Sequence, residues 1–100
     1  MIKVTWHKNS LAIQGHANCK TRGKDLVCCA VSAIIQTATA WFDKDDIEII
    51  DDEQIPIFII KLIKKNKLNQ KYLELIYRQL ACLAKHNKKY MSCKKQNNER

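Results

Sequence analysis

A histidine and a cysteine near the start of the sequence have the types and spacing that could support acyl transfer. His16 comes directly after Gly15, and Cys28 follows twelve residues later in a run of small and apolar residues. A cysteine thiolate is a strong nucleophile, and an imidazole titrates near neutral pH, so a histidine can take the thiol proton and return it to a leaving group. The pair therefore contains the two groups that a thiol hydrolase requires. The alternative is that Cys28 is a small core residue and His16 a solvated loop residue.

The environment of Cys28 depends on a predicted helix. Asp25 is a favoured N-cap residue, and the small and apolar residues of positions 26–42 predict the helix that follows it. Cys28 then stands at the third helical position, where backbone N–H groups have no partner within the helix and the helix dipole is positive. Both effects favour a thiolate, and the N–H groups could hold an oxyanion. The charge of Asp25 opposes the thiolate, so the sign of the net effect stays open.

Apolar periodicity predicts the elements that must position this pair. Alternation predicts a hairpin over residues 2–14 and a short strand around Ile47 and Ile49, followed by a turn at residues 51–53. It also predicts a longer strand over residues 55–63, whose apolar run indicates burial on both faces. Helical spacing predicts a second helix over residues 69–86, and residues 90–93 could add a short strand. The apolar residues assigned to one face of the first helix are Leu26, Ala30, Ala33, Ala38 and Trp41.

This order of elements, ββαββα with a possible final strand, predicts an α+β fold. Its sheet is antiparallel or mixed, with two helices packed on it. Residues 1–93 are predicted to form one catalytic domain, and residues 94–100 a polar C-terminal tail.

The charge of the chain keeps a second hypothesis open. The net charge is +8, yet seven of the ten acidic residues lie between positions 43 and 53, so the rest of the chain is strongly basic. Such a surface suits an acidic partner such as RNA, which would make the protein a non-catalytic ribosome- or RNA-associated basic module. The alternative is that the many Lys, Ile and Asn residues reflect an AT-rich genome.

No apolar run resembles a signal peptide or a membrane span, which predicts a cytoplasmic location and no membrane partner.

The five cysteines raise the question of disulfides and metals. An odd number without a secretion signal argues against a disulfide framework. Cys19 could join His16, Cys28 and Cys29 in a His/Cys set, but a His-x-x-Cys pair followed by adjacent cysteines is not a standard zinc spacing. We therefore predict no metal and no other cofactor.

Two linked motifs resemble the signature of the ribosomal-processing cysteine protease Prp family. The first is Gly-His-Ala at positions 15–17, and the second runs Gly-Lys-Asp-Leu-Val-Cys-Cys-Ala-Val-Ser at positions 23–32. The segment that holds both motifs, residues 15–32, covers about a fifth of the chain, and the predicted order of elements extends the likeness across most of the rest. Cys29 departs from the family pattern, which has alanine there. Because one residue turns a helix by about 100°, we expect Cys29 to face away from Cys28.

The resemblance implies a cysteine endopeptidase in which Cys28 is the nucleophile and His16 the base, without an assigned third member. It implies supporting roles for four further residues, Gly15, Gly23, Asp25 and Ser32. Members of the family remove the N-terminal extension of the large-subunit ribosomal protein numbered twenty-seven, cutting after an aromatic residue and before a basic segment. That peptide is the implied partner, and the resemblance also implies ribosome proximity and a homodimer. Residues 17–24, which lack a large apolar anchor, are predicted to form a loop that orders over substrate.

Overall fold

Five strands and two helices alternate along the chain in the predicted order. The computed structural model describes residues 1–15, 22–52 and 54–96. The elements are β1 (Ile2–His7), β2 (Ser10–Gln14), α1 (Arg22–Ala38), β3 (Ile47–Asp52), β4 (Ile57–Leu62), α2 (Lys67–Lys85) and β5 (Met91–Lys95). Two 3-10 turns, Thr39–Trp41 and Lys44–Asp46, connect α1 to β3. The α+β fold, its ββαββα order and the final strand are confirmed, and β5 continues two residues into the segment assigned to the tail.

The strands form one mixed sheet in the order β3-β4-β2-β1-β5. The pairs β1–β2, β2–β4 and β3–β4 are antiparallel, whereas β5 pairs with β1 in parallel. β4 and β5 therefore run in the same direction, and α2 is the crossover that returns the chain between them. Of the elements in the described ranges, neither helix is long and apolar enough to cross a membrane.

The core lies between the two helices and one face of the sheet. Leu11 and Ile60, which are register partners, are fully buried on that face. Leu73, Ile76 and Leu80 of α2 pack against it and are also fully buried. Ile57 and Ile59 of β4 are only half-buried, because successive residues of a strand point to opposite faces and the helices cover one face. The prediction that this strand is buried on both faces was therefore wrong.

α1 turns its β-branched side chains toward the sheet. Val27, Val31, Ile35 and Ala38 are buried at spacings of four, four and three residues. Of the face predicted from the sequence only Ala38 is buried, whereas Leu26 is 69% exposed. That prediction was wrong because the Val and Ile stripe buries more apolar area than a stripe made mostly of alanines.

α1 also begins earlier than predicted. Its first residue is Arg22, so Gly23 is the second helical residue and Asp25 the fourth. The prediction of Asp25 as the N-cap was therefore wrong. A preferred cap contributes only about 1 kcal/mol, which the hydrogen bonds of one more helical turn can offset. β3 likewise extends through Asp52, which moves the predicted turn at residues 51–53 to residues 54–56.

Gly15 ends β2 in a conformation that favours glycine. Its φ is +99°, and its N–H donates to the Pro56 carbonyl oxygen at 2.8 Å. An ideal Cβ on Gly15 would overlap the carbonyl oxygen of Met1. The residue thereby joins the ends of β1, β2 and β4 where the chain leaves the sheet.

The variant Gly15→Ala should destabilise the protein by more than about 1 kcal/mol, because alanine meets both a positive φ and a backbone overlap. Urea denaturation followed by circular dichroism measures the effect. Gly23→Ala is the matched control, since Gly23 lies within α1 and alanine there should be neutral or stabilising. Equal stability of Gly15→Ala and the parent would contradict the described geometry.

Candidate active site

A groove of about 720 Å³ runs between α1 and the strands β3 and β4. One wall carries Cys28 and Ser32 of α1 and Thr39 of the 3-10 turn that follows it, and the apolar floor includes Ile13 and Phe58. The wall from Cys28 to Thr39 spans eleven residues, which is about 16 Å at 1.5 Å per residue. An extended peptide of about five residues would fit along that length.

Cys28 lies at the edge of the buried stripe of α1. It is half-buried, packs against the core and lines the groove. Ser32, one turn later, is exposed and lines the same groove, so the two side chains share a face of the helix. Cys29 is exposed and does not line the groove, as expected from the turn of about 100° between neighbouring helical residues.

The early start of α1 changes the expected electrostatics of Cys28. Cys28 is the seventh residue of the helix and not the third. Its backbone N–H therefore lies beyond the first turn, where N–H groups find partners four residues back. Both effects expected from the helix start are confined to its first turn. The structure therefore gives no basis for the expectation that the helix dipole favours a thiolate at Cys28, or that unpartnered N–H groups beside Cys28 hold an oxyanion.

Gly15 brings the chain to the rim of the same groove. It lines the groove together with Cys28, and it is bonded to His16 in the sequence. His16 and Cys19 lie outside the described residues, as does the larger part of the predicted loop at residues 17–24. Of the site residues predicted from the sequence, the structure thus brings Gly15, Cys28 and Ser32 together, and places the backbone of Gly23 and Asp25 in the first turns of α1.

The charged side chains that line the groove, among described residues, are two carboxylates. Asp51 and Asp52 end β3 on the side of the groove opposite α1. Asp52 accepts hydrogen bonds from the N–H groups of Gln54 and Ile55 at 2.9 and 3.2 Å and so holds the turn to β4. Asp51 has no hydrogen bond or ion pair to any residue in the described ranges. A groove with this lining attracts a positively charged group although the whole chain is basic.

The sequence favours a solvated turn at residues 51–53 over a contact between the acidic segment of residues 43–53 and the basic part of a substrate, and it does not assign the acidic pair to the site. The signal was present in the period-two pattern of β3: Ile47, Ile49 and Asp51 alternate, so they share one side of the strand. Their register partners Leu62, Ile60 and Phe58 belong to the helix-covered face of β4. An acidic residue at the end of such a series points into the space beside α1.

The described cysteines other than Cys28 have ordinary structural settings. Cys29 and Cys82 are exposed, and neither forms a disulfide with another described residue. Cys93 is half-buried, and burial raises its pKa to about 11. In the part of the chain that the structure describes, no three His, Cys, Asp or Glu side chains are grouped as metal ligands would be. Two members of the set considered from the sequence, His16 and Cys19, lie outside that part.

Comparisons with known proteins identify a family of similar chains. Residues 1–92 match the family model described as cysteine protease Prp. The ribosomal processing cysteine protease Prp of Mycoplasma pneumoniae is 33% identical over 92% of both chains. That of Mycoplasma genitalium is 43% identical, over 63% of this chain and 64% of its own length.

A solved structure agrees with the fold. It is the essential ribosomal processing protease Prp of Staphylococcus aureus in complex with a covalently linked product peptide, with a TM-score of 0.79 and 19% identity. The superposition covers 96% of this chain and 100% of that chain. The matching class is that of the cysteine peptidases. Within it, the chain belongs to the cysteine protease Prp family, as the two motifs had suggested.

Proposed function

We propose that this protein is a cysteine endopeptidase that removes the N-terminal extension of the large-subunit ribosomal protein numbered twenty-seven during ribosome assembly. The observation that supports it most directly is the half-buried Cys28 on the wall of a peptide-sized groove whose rim is Gly15, the residue before His16. The names of both Mycoplasma relatives support the ribosomal substrate. We place the reaction in the cytoplasm, where ribosomes assemble.

The proposed chemistry is acyl transfer by a Cys/His dyad. His16 takes the Cys28 proton, and the sulfur attacks the carbonyl carbon of the scissile bond. As the C–N bond breaks, His16 returns the proton to the leaving amine, and the acyl group remains on Cys28 as a thioester. Water then adds to the thioester with His16 as base, which releases a carboxylic acid and restores the thiol. Ser32 shares the groove and supports the dyad, and Gly15 fixes the direction in which the chain enters residue 16.

The groove also suggests how the substrate lies. Ile13, Val31, Ile35, Ile49 and Phe58 provide an apolar floor that suits the apolar segment of the peptide. Asp51 offers an uncommitted carboxylate to the basic segment beyond the cut. We therefore propose that the scissile bond lies across Cys28 with its basic side toward the end of β3.

Cys28→Ala and Cys28→Ser should each lower the rate of cleavage of a peptide spanning the extension by more than about 1,000-fold, because they remove the nucleophile. His16→Ala should cause a loss of the same order with little change in the free energy of unfolding. Cleavage is followed by mass spectrometry of both products.

Cys29→Ala is the matched control, since it removes a neighbouring exposed thiol, and it should keep most of the activity. Retained cleavage in Cys28→Ala together with loss in Cys29→Ala would reverse the assignment. Unfolding of His16→Ala would make His16 a structural residue instead.

Asp51→Asn should raise KM about threefold for a peptide with lysines after the cut, since a partly exposed charge pair contributes up to about 1 kcal/mol. The effect should vanish when those lysines are replaced by glutamine. Asp45→Asn, which makes the same charge change on an exposed 3-10 turn outside the groove, should leave KM unchanged. Equal effects of the two variants would show that only the overall charge matters.

We also propose a homodimer, through the face of the sheet that the helices leave uncovered. That face carries the half-buried Ile57 and Ile59 together with Ile50, which is 38% exposed. The strand register and the alternation of side chains place acidic residues of β3 on this uncovered face, together with lysines of β1 and β5. A two-fold axis parallel to the strands would therefore bring the acidic edge of one copy over the basic edge of the other.

Sedimentation equilibrium should give twice the chain mass of 11.6 kDa, and Ile59→Lys should shift the protein to the monomer mass. Leu26→Lys is the matched control, because Leu26 is exposed on α1 away from this face. A monomeric parent protein at high micromolar concentration would contradict the proposal.

A further inference from the structure

Two adjoining hollows lie at the end of the sheet opposite Gly15. The first, of about 580 Å³, is lined by residues of the β1–β2 turn, the end of β4 and the segment after it. The second, of about 430 Å³, lies between the N-terminal half of α2, β1 and the end of β5. Asn9 lines the first and Gln70 the second, and Gln70 Nε2 donates to Asn9 Oδ1 at 2.9 Å. This hydrogen bond joins the rims of the hollows, which together we call the lysine cleft.

Cations dominate the lining of the lysine cleft. Its six lysines come from four different parts of the chain: Lys8, Lys61, Lys65, Lys67, Lys71 and Lys95. All six are exposed. The two carboxylates that line it are Glu48 and Glu74.

The charge of Glu74 is already balanced inside the protein. Its carboxylate accepts hydrogen bonds from Lys71 at 2.7 Å and Arg78 at 3.0 Å, which lower its pKa. Lys67 and Lys95 line the second hollow in addition to that pair. The cleft therefore has an excess positive charge that an anionic ligand can neutralise.

The composition of the cleft fits phosphates better than an acidic protein. Its cations are all lysines, which act as point charges toward phosphate, whereas carboxylates are favoured partners of the arginine fork. Of the large apolar residues that line the cleft, Leu62 is buried and Trp6 lies beneath the Lys95 ammonium group at 4.7 Å, which leaves Ile63 as the exposed one. A protein–protein interface has an apolar centre, but a nucleic-acid interface is polar and positively charged.

We infer that the lysine cleft binds the phosphodiester backbone of a nucleic acid, without reading its bases. The ligand would follow the surface from the β1–β2 turn across the Asn9–Gln70 hydrogen bond to the first turns of α2. β2 separates this cleft from Gly15 by five residues, or about 17 Å, so a bound strand leaves the Cys28 groove open. The site is independent of the proposed protease chemistry.

Fluorescence anisotropy with a labelled 12-nucleotide oligouridylate, measured from 50 to 200 mM salt, tests the inference. The parent protein should bind with an affinity that falls steeply with salt. Lys67→Gln/Lys95→Gln should weaken binding at least about fivefold and reduce the slope of log Kd against log salt by about 1.4, or about 0.7 for each lost phosphate contact. Lys85→Gln/Lys88→Gln is the matched control, because it removes the same charge at the other end of α2, and it should bind like the parent.

Three results would overturn the inference: no binding to oligouridylate at 50 mM salt, equal losses in the two double variants, or competition by poly-glutamate as effective as that by unlabelled RNA. The same measurement with oligothymidylate shows whether RNA or DNA binds more tightly, and so identifies the source of the phosphates.

Both double variants should cleave the peptide at the rate of the parent, so a failure of the RNA-binding test leaves the protease proposal intact. Loss of cleavage by Cys28→Ala leaves this inference intact, because that variant keeps the lysine cleft.

Discussion

The rotation of α1 is the constraint on which the site depends. Val27, Val31, Ile35 and Ala38 are buried against the rest of the core, and their stripe determines which residues of the helix meet the groove. At about 100° per residue, Cys28 lies at one edge of this stripe, while Cys29 points to the opposite side. A different buried face, such as the Leu26 and Ala30 face, would turn Cys28 away from the groove. The packing energy of the β-branched stripe therefore also positions the candidate nucleophile.

The sheet extends this positioning to the rest of the site. Gly15 ends β2 beside Pro56, so the residue before His16 is held at the rim of the groove by a backbone hydrogen bond. β3 pairs with β4 alone and carries Asp51 to the other side of the groove. Three separate parts of the chain thus meet beside Cys28, although they are distant in sequence. The lysine cleft lies at the far end of the same strands, so substrate and polyanion would use different surfaces.

The sequence predicted the architecture well because its periodic segments are long and its strands are separated by clear helices. It predicted the order of elements, the final strand and the relation between Cys28 and Cys29. It failed where local preferences competed with packing: Asp25 is a good N-cap, but α1 starts at Arg22, and of the alanine-rich stripe only Ala38 is buried. The sequence could not show Asp51 in the groove, because only the register of β3 with β4 distinguishes a carboxylate facing α1 from one in a solvated turn. Charge counts showed a basic chain but not that lysines from four segments converge.

The central claim, that Cys28 is an activated nucleophile, is tested most directly by the alkylation rates of the individual cysteines. The protein is treated with limiting iodoacetamide at pH 7, quenched over time and mapped by peptide mass spectrometry. Cys29 and Cys82 are exposed and provide the reference rate, and Cys93 should be slowest because burial raises its pKa to about 11. The account predicts that Cys28, although half-buried, reacts much faster than the exposed cysteines and that His16→Ala removes the difference. A Cys28 rate no higher than those of Cys29 and Cys82 would contradict it.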